Sequence, residues 1–255
     1  MISTINIFGK ELPLYGLFCT LGMVVAALVG MLICRKRKIP IFDLVSSAVY
    51  VFIGGMIGSK LLFLIVSIKT IIEYRIPFVN LIMGGFVFYG GLIGGALGLF
   101  IYVKQYKLKL SEFLDVYAVC LPLGHALGRV GCFFGGCCYG IPHNSPISVI
   151  YKHTEGATPL NTPLLPIQLI EAAVLFVFFI IMLILFLKTN ICVLPAIYLC
   201  MYAIARFVLE FFRGDKARGG VLGISTSQII SLAAILLLIV YIIIKHIKTK
   251  KRTAN

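Results

Sequence analysis

The chain has 255 residues, of which 60% are hydrophobic and 13% charged, and it carries a formal net charge of +14. A soluble domain holds roughly a quarter charged residues, so this composition, with a mean hydropathy of +1.06, excludes an ordinary soluble protein. The charge does not point to nucleic acid. Lys and Arg sit in short clusters between long apolar runs, where anionic headgroups account for them, and no basic groove with interleaved aromatic residues is present.

A helix needs about 20 residues to cross the hydrocarbon core. Seven runs have that character: Leu14–Ile33, Leu44–Ile68, Asn80–Val103, Leu114–Phe134, Pro166–Leu187, Ile191–Phe212 and Ile224–Ile244. Met1–Lys10 lacks the cationic start of a cleaved leader, and the first run is long enough to stay as an anchor. Thirteen basic residues follow the odd-numbered runs, among them Arg35–Lys38 and Lys245–Arg252, against seven on the other side, among them Lys69, Arg75 and Arg213. The positive-inside rule then puts the N-terminus outside and the C-terminus in the cytoplasm, as an odd number of spans requires. The expected architecture is an all-α, polytopic integral membrane protein of about seven transmembrane helices, with residues 1–255 forming a single membrane domain.

Glycine is concentrated in the second and third runs. Gly54 and Gly58, Gly90 and Gly94, and Gly91 and Gly95 have the small-xxx-small spacing that lets helix backbones approach closely in lipid. The density over Phe88–Gly95 also predicts a broken or thinned helix beside a cavity. Two outer connections follow. Residues 139–165 (Tyr139–Leu165), rich in Pro, Asn, Ser and Thr, are expected to be a partly ordered surface loop and not a second domain. Residues 213–223 (Arg213–Gly223) contain glycines suited to tight turns.

Charges within spans are costly and mark function or pairing; here they are Lys60, Arg129, Glu171, Arg206 and Glu210. Arg206 and Glu210 are four apart on one helical face and can pair. Two readings stand: a pair that keeps the bundle neutral, or part of an Arg129, Arg206 and Arg213 cluster in the outer half, suited to a lipid phosphate. In Leu121–Gly140, LPLGHALGRVGCFFGGCCYG, His125 and Arg129 share a helical face, although a transmembrane His is often only a satisfied polar residue. Beyond Arg129, the glycines Gly131, Gly135, Gly136 and Gly140 predict irregular backbone.

Cys19, Cys34, Cys120, Cys192 and Cys200 are scattered in apolar helix as small hydrophobes. Cys132, Cys137 and Cys138 cluster near the outer face. Their C-x4-C-C spacing lacks the paired C-x-x-C or added His of a zinc site, so no metal is expected; a redox-sensitive or bridging thiol pair and plain packing both remain open. A thiol nucleophile there would draw on His125 or Arg129.

Several separated segments, in order and over nearly the whole chain, resemble one family, the bacterial prolipoprotein diacylglyceryl transferases. The family's early Tyr-Gly looks like Tyr15-Gly16, and its GG-x-x-F-H-G-G-x-x-G looks like Gly84–Gly94 (GGFVFYGGLIG). Its signature G-R-x-G-N-F-x-N-x-E-x-x-G is similar to Gly128–Gly140, and its H-P-S-Q-L-Y-E resembles Leu165–Glu171 (LPIQLIE). Its R-x-x-x-E-x-x-R…D, followed by a Gln-containing helix start, resembles Arg206–Asp215 and then Ser227-Gln228.

The resemblance implies transfer of a diacylglyceryl group from phosphatidylglycerol to the lipobox cysteine of a prolipoprotein signal peptide. The products would be a thioether and glycerol phosphate, made at the outer face of the bacterial inner membrane with no cofactor. It further implies that Arg129 and Arg206 bind phosphate and that Glu210 holds Arg206. Tyr15, Gly140 and Gln168 match further motif positions and, with Arg213, are expected at the substrate. The sequence departs from the family where polar groups are usual: Tyr89 stands for His, Cys132 for Asn, Gly135 for the second Asn and Cys137 for Glu. His125 is then the candidate base, because the Tyr89 phenol, with a pKa near 10, is a poor one at neutral pH. A different acceptor on the same donor, or a silent lipid-binding scaffold, are the alternative readings. A transporter would show inverted internal repeats, and none is found.

Overall fold

The computed structural model describes residues 4–7, 9–74, 77, 81, 84–154, 156–189, 193–215, 220–221 and 224–253. Lipid offers the backbone no hydrogen bonds, so the apolar runs satisfy their own amides as helices. These are α1 (Leu14–Ile33), α2 (Ile41–Tyr74), α3 (Phe88–Gln105), α4 (Leu110–Phe134), α5 (Ile167–Lys188), α6 (Leu194–Leu209) and α7 (Thr226–Thr253). Among the described residues, five segments are long and apolar enough to cross a membrane: Leu14–Arg37, Ile41–Tyr74, Leu110–Phe134, Ile167–Lys188 and Leu194–Phe212. α3 is 18 residues long, and the apolar part described in α7, Thr226–Ile239, is shorter still. Large apolar side chains such as Leu32, Phe42, Ile65, Val66 and Ile72 are exposed along these helices, as contact with lipid tails requires. The expected all-α, polytopic class is borne out.

The chain divides into two compact units, Gly30–Val116 and a second made of Met1–Val29 with Tyr117–Asn255. In the first, α2 and α3 run antiparallel with their backbones touching. A Cβ on Gly58 would lie 2.9 Å from the Gly94 Cα, and one on Gly54 would run into the Gly94 carbonyl. The small-residue spacing therefore does pack helix on helix. At one end of this unit Arg37 pairs with the fully buried Asp115 at 2.9 Å, and the Tyr102 hydroxyl donates to Asp43 at 2.9 Å.

The third predicted run needs correction. Helix does not extend back through Gly84–Val87; α3 begins at Phe88 and is regular over Phe88–Gly95, where a break was expected. The break lies one turn earlier, where Gly85 has a φ of +66°, a conformation open to glycine and strained for other residues. The Lys60 ammonium donates to the Gly84 carbonyl at 2.5 Å and lies 4.8 Å from the Phe86 ring centroid. This in-span charge thus satisfies backbone that helix no longer serves. Asn80, also in the predicted run, lies outside the described residues.

In the second unit α4 packs against α1 where Gly22 faces Gly124; a Cβ on Gly22 would sit 2.8 Å from the Gly124 carbonyl oxygen. Phe18 and Phe134 stack at 5.1 Å nearer the end of α4. α4 continues a full turn beyond Arg129, through Gly131 to Phe134, so irregular backbone begins later than the glycines suggested. It is turned by Gly136 and Cys138, with φ of +60° and +58°.

The connection over 139–165 is ordered around its own small core, in which buried Phe133, Tyr151 and Leu164 meet. The Tyr151 hydroxyl donates to the Phe133 carbonyl at 3.1 Å. Three antiparallel hairpins were not expected: β1 (Thr4–Ile7) with β2 (Lys10–Pro13), β3 (Val149–Ile150) with β4 (Pro163–Leu164), and β5 (Gly220–Val221) with β6 (Ile224–Ser225). The last takes Ile224 out of the seventh predicted span. Residues 216–219 and 222–223 of the second outer loop, and Cys192, are outside the described residues.

Candidate active site

The polar residues of the second unit gather at helix ends: the end of α4, the start of α5, the end of α6 and the start of α7. Arg129, five residues before α4 stops, reaches Glu171 in the second turn of α5, with Nη2 to Oε1 at 3.0 Å. Glu171 is 1% exposed, and its other oxygen stands 4.0 Å from Arg213 Nη1. On α6, Arg206 Nη2 meets Glu210 Oε2 at 2.6 Å, and the same carboxylate oxygen lies 3.9 Å from Arg213 Nε. Arg213 is clasped bidentately by Asp215, with donations at 2.9 and 2.6 Å. Three guanidiniums and three carboxylates thus form one continuous buried network. Arg206 and Glu210 pair across four positions, and the same carboxylate also faces Arg213.

Other contacts fix these side chains. Arg206 Nη2 donates to Ser227 Oγ at 3.0 Å, and Ser227 is placed by a capping box at the start of α7. There the Ser225 amide donates to Gln228 Oε1 at 3.0 Å and the Gln228 amide to Ser225 Oγ at 3.2 Å. Tyr202 interacts with Arg129, Glu171 and Arg206, and its ring meets His125 edge-on at 5.3 Å.

Some donors are left over. Among the described residues, Arg129 Nε, Arg206 Nη1 and Arg213 Nη1 are buried with no hydrogen-bond partner. Leaving a buried donor unpaired costs about 1–3 kcal/mol, more for charged groups. An anion among the three guanidiniums would recover that cost.

The remaining motif residues frame this network. A Cβ on Gly131 or Gly135 would come within 3.1 and 3.3 Å of Tyr15 atoms, so bare backbone on α4 gives Tyr15 its place. Gly140 forms a bridge with Arg213, and a Cβ there would strike the Leu165 carbonyl. Only glycine therefore lets these chain segments converge. Gln168 Nε2 donates to the Cys137 carbonyl at 2.8 Å. Tyr89 lies on α3 in the other unit, 38% exposed, with its ring edge-on to Phe88.

The sulfur atoms of Cys132, Cys137 and Cys138 all lie within 4.8 Å of one another. Among the described residues, none of the three is in a disulfide. The thiols of Cys132 and Cys137, and then the Arg213 guanidinium, pull the Cys138 thiol well below the usual thiol range. Cys132 and Cys138 push Cys137 the other way. Of the scattered cysteines, Cys34 and Cys120 are buried as expected, while Cys19 and Cys200 are partly exposed.

Sequence reasoning missed four members of the site. Glu171 was visible as an in-span charge but not as the partner of Arg129. Asp215 and Ser227 stood in a motif without a role, and Tyr202 gave no signal in an aromatic-rich apolar helix.

Membrane-length helices, with a guanidinium–carboxylate network at their ends, define a multi-pass membrane protein. The model of the prolipoprotein diacylglyceryl transferase family matches residues 3–244. Among similar proteins, the phosphatidylglycerol–prolipoprotein diacylglyceryl transferase of Clostridium tetani is 35% identical over 236 residues, 91% of this chain and 92% of that protein. The second enzyme of that name from Clostridium perfringens is 32% identical over 258 residues, covering 98% and 97%. That of Dehalococcoides mccartyi is 32% identical over 250 residues, covering 94% and 92%. The chain belongs to the prolipoprotein diacylglyceryl transferase family, as its motifs implied.

Proposed function

We propose that the protein is a transferase that moves the diacylglyceryl group of phosphatidylglycerol to the lipobox cysteine thiol in the signal peptide of a prolipoprotein. The names of its relatives support the donor and acceptor. The observation that carries the reading is the set of unpaired guanidinium donors on Arg129, Arg206 and Arg213. A phosphodiester placed there would receive charge-assisted hydrogen bonds.

In this reaction the acceptor sulfur forms a bond to the glycerol carbon bearing the phosphate, and the C–O bond to phosphate breaks. The thiol proton is lost, and glycerol phosphate leaves with added negative charge. Fixed cations lower the barrier because they favour that charge as it develops. Arg129 and Arg206 take this role, Glu210 holds Arg206, and Arg213 adds a third contact. His125, one turn before Arg129 on the same helical face, accepts the thiol proton. Tyr15, Gly140 and Gln168 shape the substrate site.

The apolar runs are read as seven spans in a single domain, and the charge asymmetry of the loops supports an N-terminus outside, with the site at the outer face of the bacterial inner membrane. Exported substrates arrive at that face. The proposal is tested by glycerol phosphate release from phosphatidylglycerol vesicles. Release in step with consumption of a cysteine peptide is expected, and release without the peptide, or none from folded protein, contradicts it.

A further inference from the structure

The family positions that usually carry Asn and Glu hold Cys132 and Cys137 here, and Cys138 stands beside them. A loss of polar groups would be filled by any small residue. Three thiols converging on one point within 4.8 Å is a more specific outcome.

The convergence is built into the fold. Cys132 sits in the last turn of α4, and the Cys137 amide donates back to its carbonyl at 3.2 Å. Gln168 holds the Cys137 carbonyl, and Thr158 Oγ1 holds that of Gly136 at 2.6 Å. Cys138 has a φ of +58°, a left-handed conformation that side-chain-bearing residues rarely adopt. A helix end followed by a left-handed turn thus gathers thiols that C-x4-C-C spacing would not bring together in a zinc knuckle.

We infer that Cys132, Cys137 and Cys138 bind one Zn²⁺ as a three-thiolate site whose fourth position is taken by the acceptor cysteine. Three protein ligands with an open fourth position distinguish catalytic from structural zinc. At the bond length of zinc to sulfur, thiolates around one ion lie about 3.8 Å apart, a spacing within reach of this cluster. Three thiolates leave the zinc complex with one negative charge, and an acceptor thiolate makes it two. Arg213 interacts with Cys138, and Arg129 lies in the field of Cys132 and Cys138, so cations that balance this charge are in place. The same two arginines belong to the network assigned to the phosphate, which brings nucleophile and leaving group together.

This inference deepens the transferase reading and rests on it for the identity of the acceptor. The acceptor S–H gives its proton to His125 as the sulfur binds zinc, because a coordinated thiol is deprotonated outright. The bound sulfur forms its bond to the glycerol carbon, the C–O bond to phosphate breaks, and glycerol phosphate departs. The neutral thioether, a poorer ligand than thiolate, then leaves the metal. No oxidant or reductant is required. Zinc here lowers the acidity barrier of the thiol, and His125 takes the proton.

The test uses the full chain in detergent, purified without chelator, first for metal content and then with Co²⁺ exchanged for zinc. One zinc per chain is expected, together with the intense near-ultraviolet thiolate–cobalt band of a tetrahedral site. A lipobox cysteine peptide should shift that spectrum, and the same peptide with Ser in place of Cys should not. Cys137→Ser should lower zinc affinity at least tenfold, whereas Cys200→Ser should leave metal content unchanged. Folded wild-type protein with less than a tenth of an equivalent of zinc after incubation with Zn²⁺, or a Co²⁺ spectrum blind to the cysteine peptide, overturns the inference. Zinc and the peptide-dependent spectrum without diacylglyceryl transfer would uphold the metal site and reject the transferase reading. Transfer at full rate by metal-free protein would do the reverse.

Discussion

Arg129 and Glu171 meet at 3.0 Å between the end of one helix and the start of the next, and Glu171 is almost wholly buried. Each is intelligible only through the other. Removing one member of a buried pair strands the other charge at a cost of about 3–5 kcal/mol, whereas replacing both by apolar groups of similar volume is often close to neutral. Arg129→Met and Glu171→Leu, each alone, should therefore lower the unfolding free energy in detergent by about that amount. Arg129→Met with Glu171→Leu should recover most of the loss. Additive effects in this cycle would contradict the pairing.

Ser227 acts at one remove. Its hydroxyl accepts from Arg206 at 3.0 Å, and hydrogen bonds to charged groups contribute about 1.5–3 kcal/mol. Ser227→Ala should reduce kcat/KM roughly tenfold to a hundredfold, with Ser227→Thr recovering activity. An unchanged kcat/KM would place Arg206 under the control of Glu210 alone.

His125→Gln isolates the proposed proton acceptor. General base catalysis contributes typically 10²–10⁴-fold, so the rate should fall by at least about a hundredfold while phosphatidylglycerol affinity holds. Undiminished activity would remove His125 from the mechanism and leave the thiol cluster to activate the acceptor.

Tyr151 gives the outer connection a dependence on pH. Burial pushes its phenol up to about 12, against about 10 in an unfolded chain. Above pH 10 the unfolded state has released the proton that the folded state retains, so stability falls as pH rises. The contribution is complete below pH 10 and is lost between about 10 and 12. Unfolding in detergent at pH about 9 and about 11 should show this decline, reduced in Tyr151→Phe. The variant should also lose about 1 kcal/mol at pH 9, for the hydrogen bond to Phe133. Identical alkaline declines would exclude Tyr151 as the cause.

Much of the architecture was legible because lipid imposes a simple rule: apolar runs become helices, and charges within them pair. Gly54, Gly58, Gly90 and Gly94 announced close helix packing through spacing alone, and the structure makes α2 and α3 the partners. The break before α3 was misplaced because glycine density cannot distinguish helix packing from helix interruption; the left-handed φ of Gly85 decides that. The hairpins escaped because strands of two to four residues leave no alternation to read. In the site, the arginines could be seen as costly charges, and Arg206 with Glu210 as a pair, but the partner of Arg129 came from another helix. Glu171 is 42 positions from Arg129, and only folding joins them. The spacing of the cysteines did not announce their convergence, because Cys132, Cys137 and Cys138 are gathered by a helix end and a left-handed turn.

The central claim is that the buried arginines hold the phosphate of a lipid whose diacylglyceryl group passes to a cysteine. The most direct measurement is the mass of a single-cysteine lipobox peptide after incubation with the purified protein and phosphatidylglycerol, beside an Arg129→Ala control. The account predicts a diacylglyceryl mass increase on the cysteine that falls at least about a hundredfold in the control, the loss expected for one transition-state donor. An unmodified peptide with folded, lipid-bound protein, or equal modification by Arg129→Ala, would contradict it.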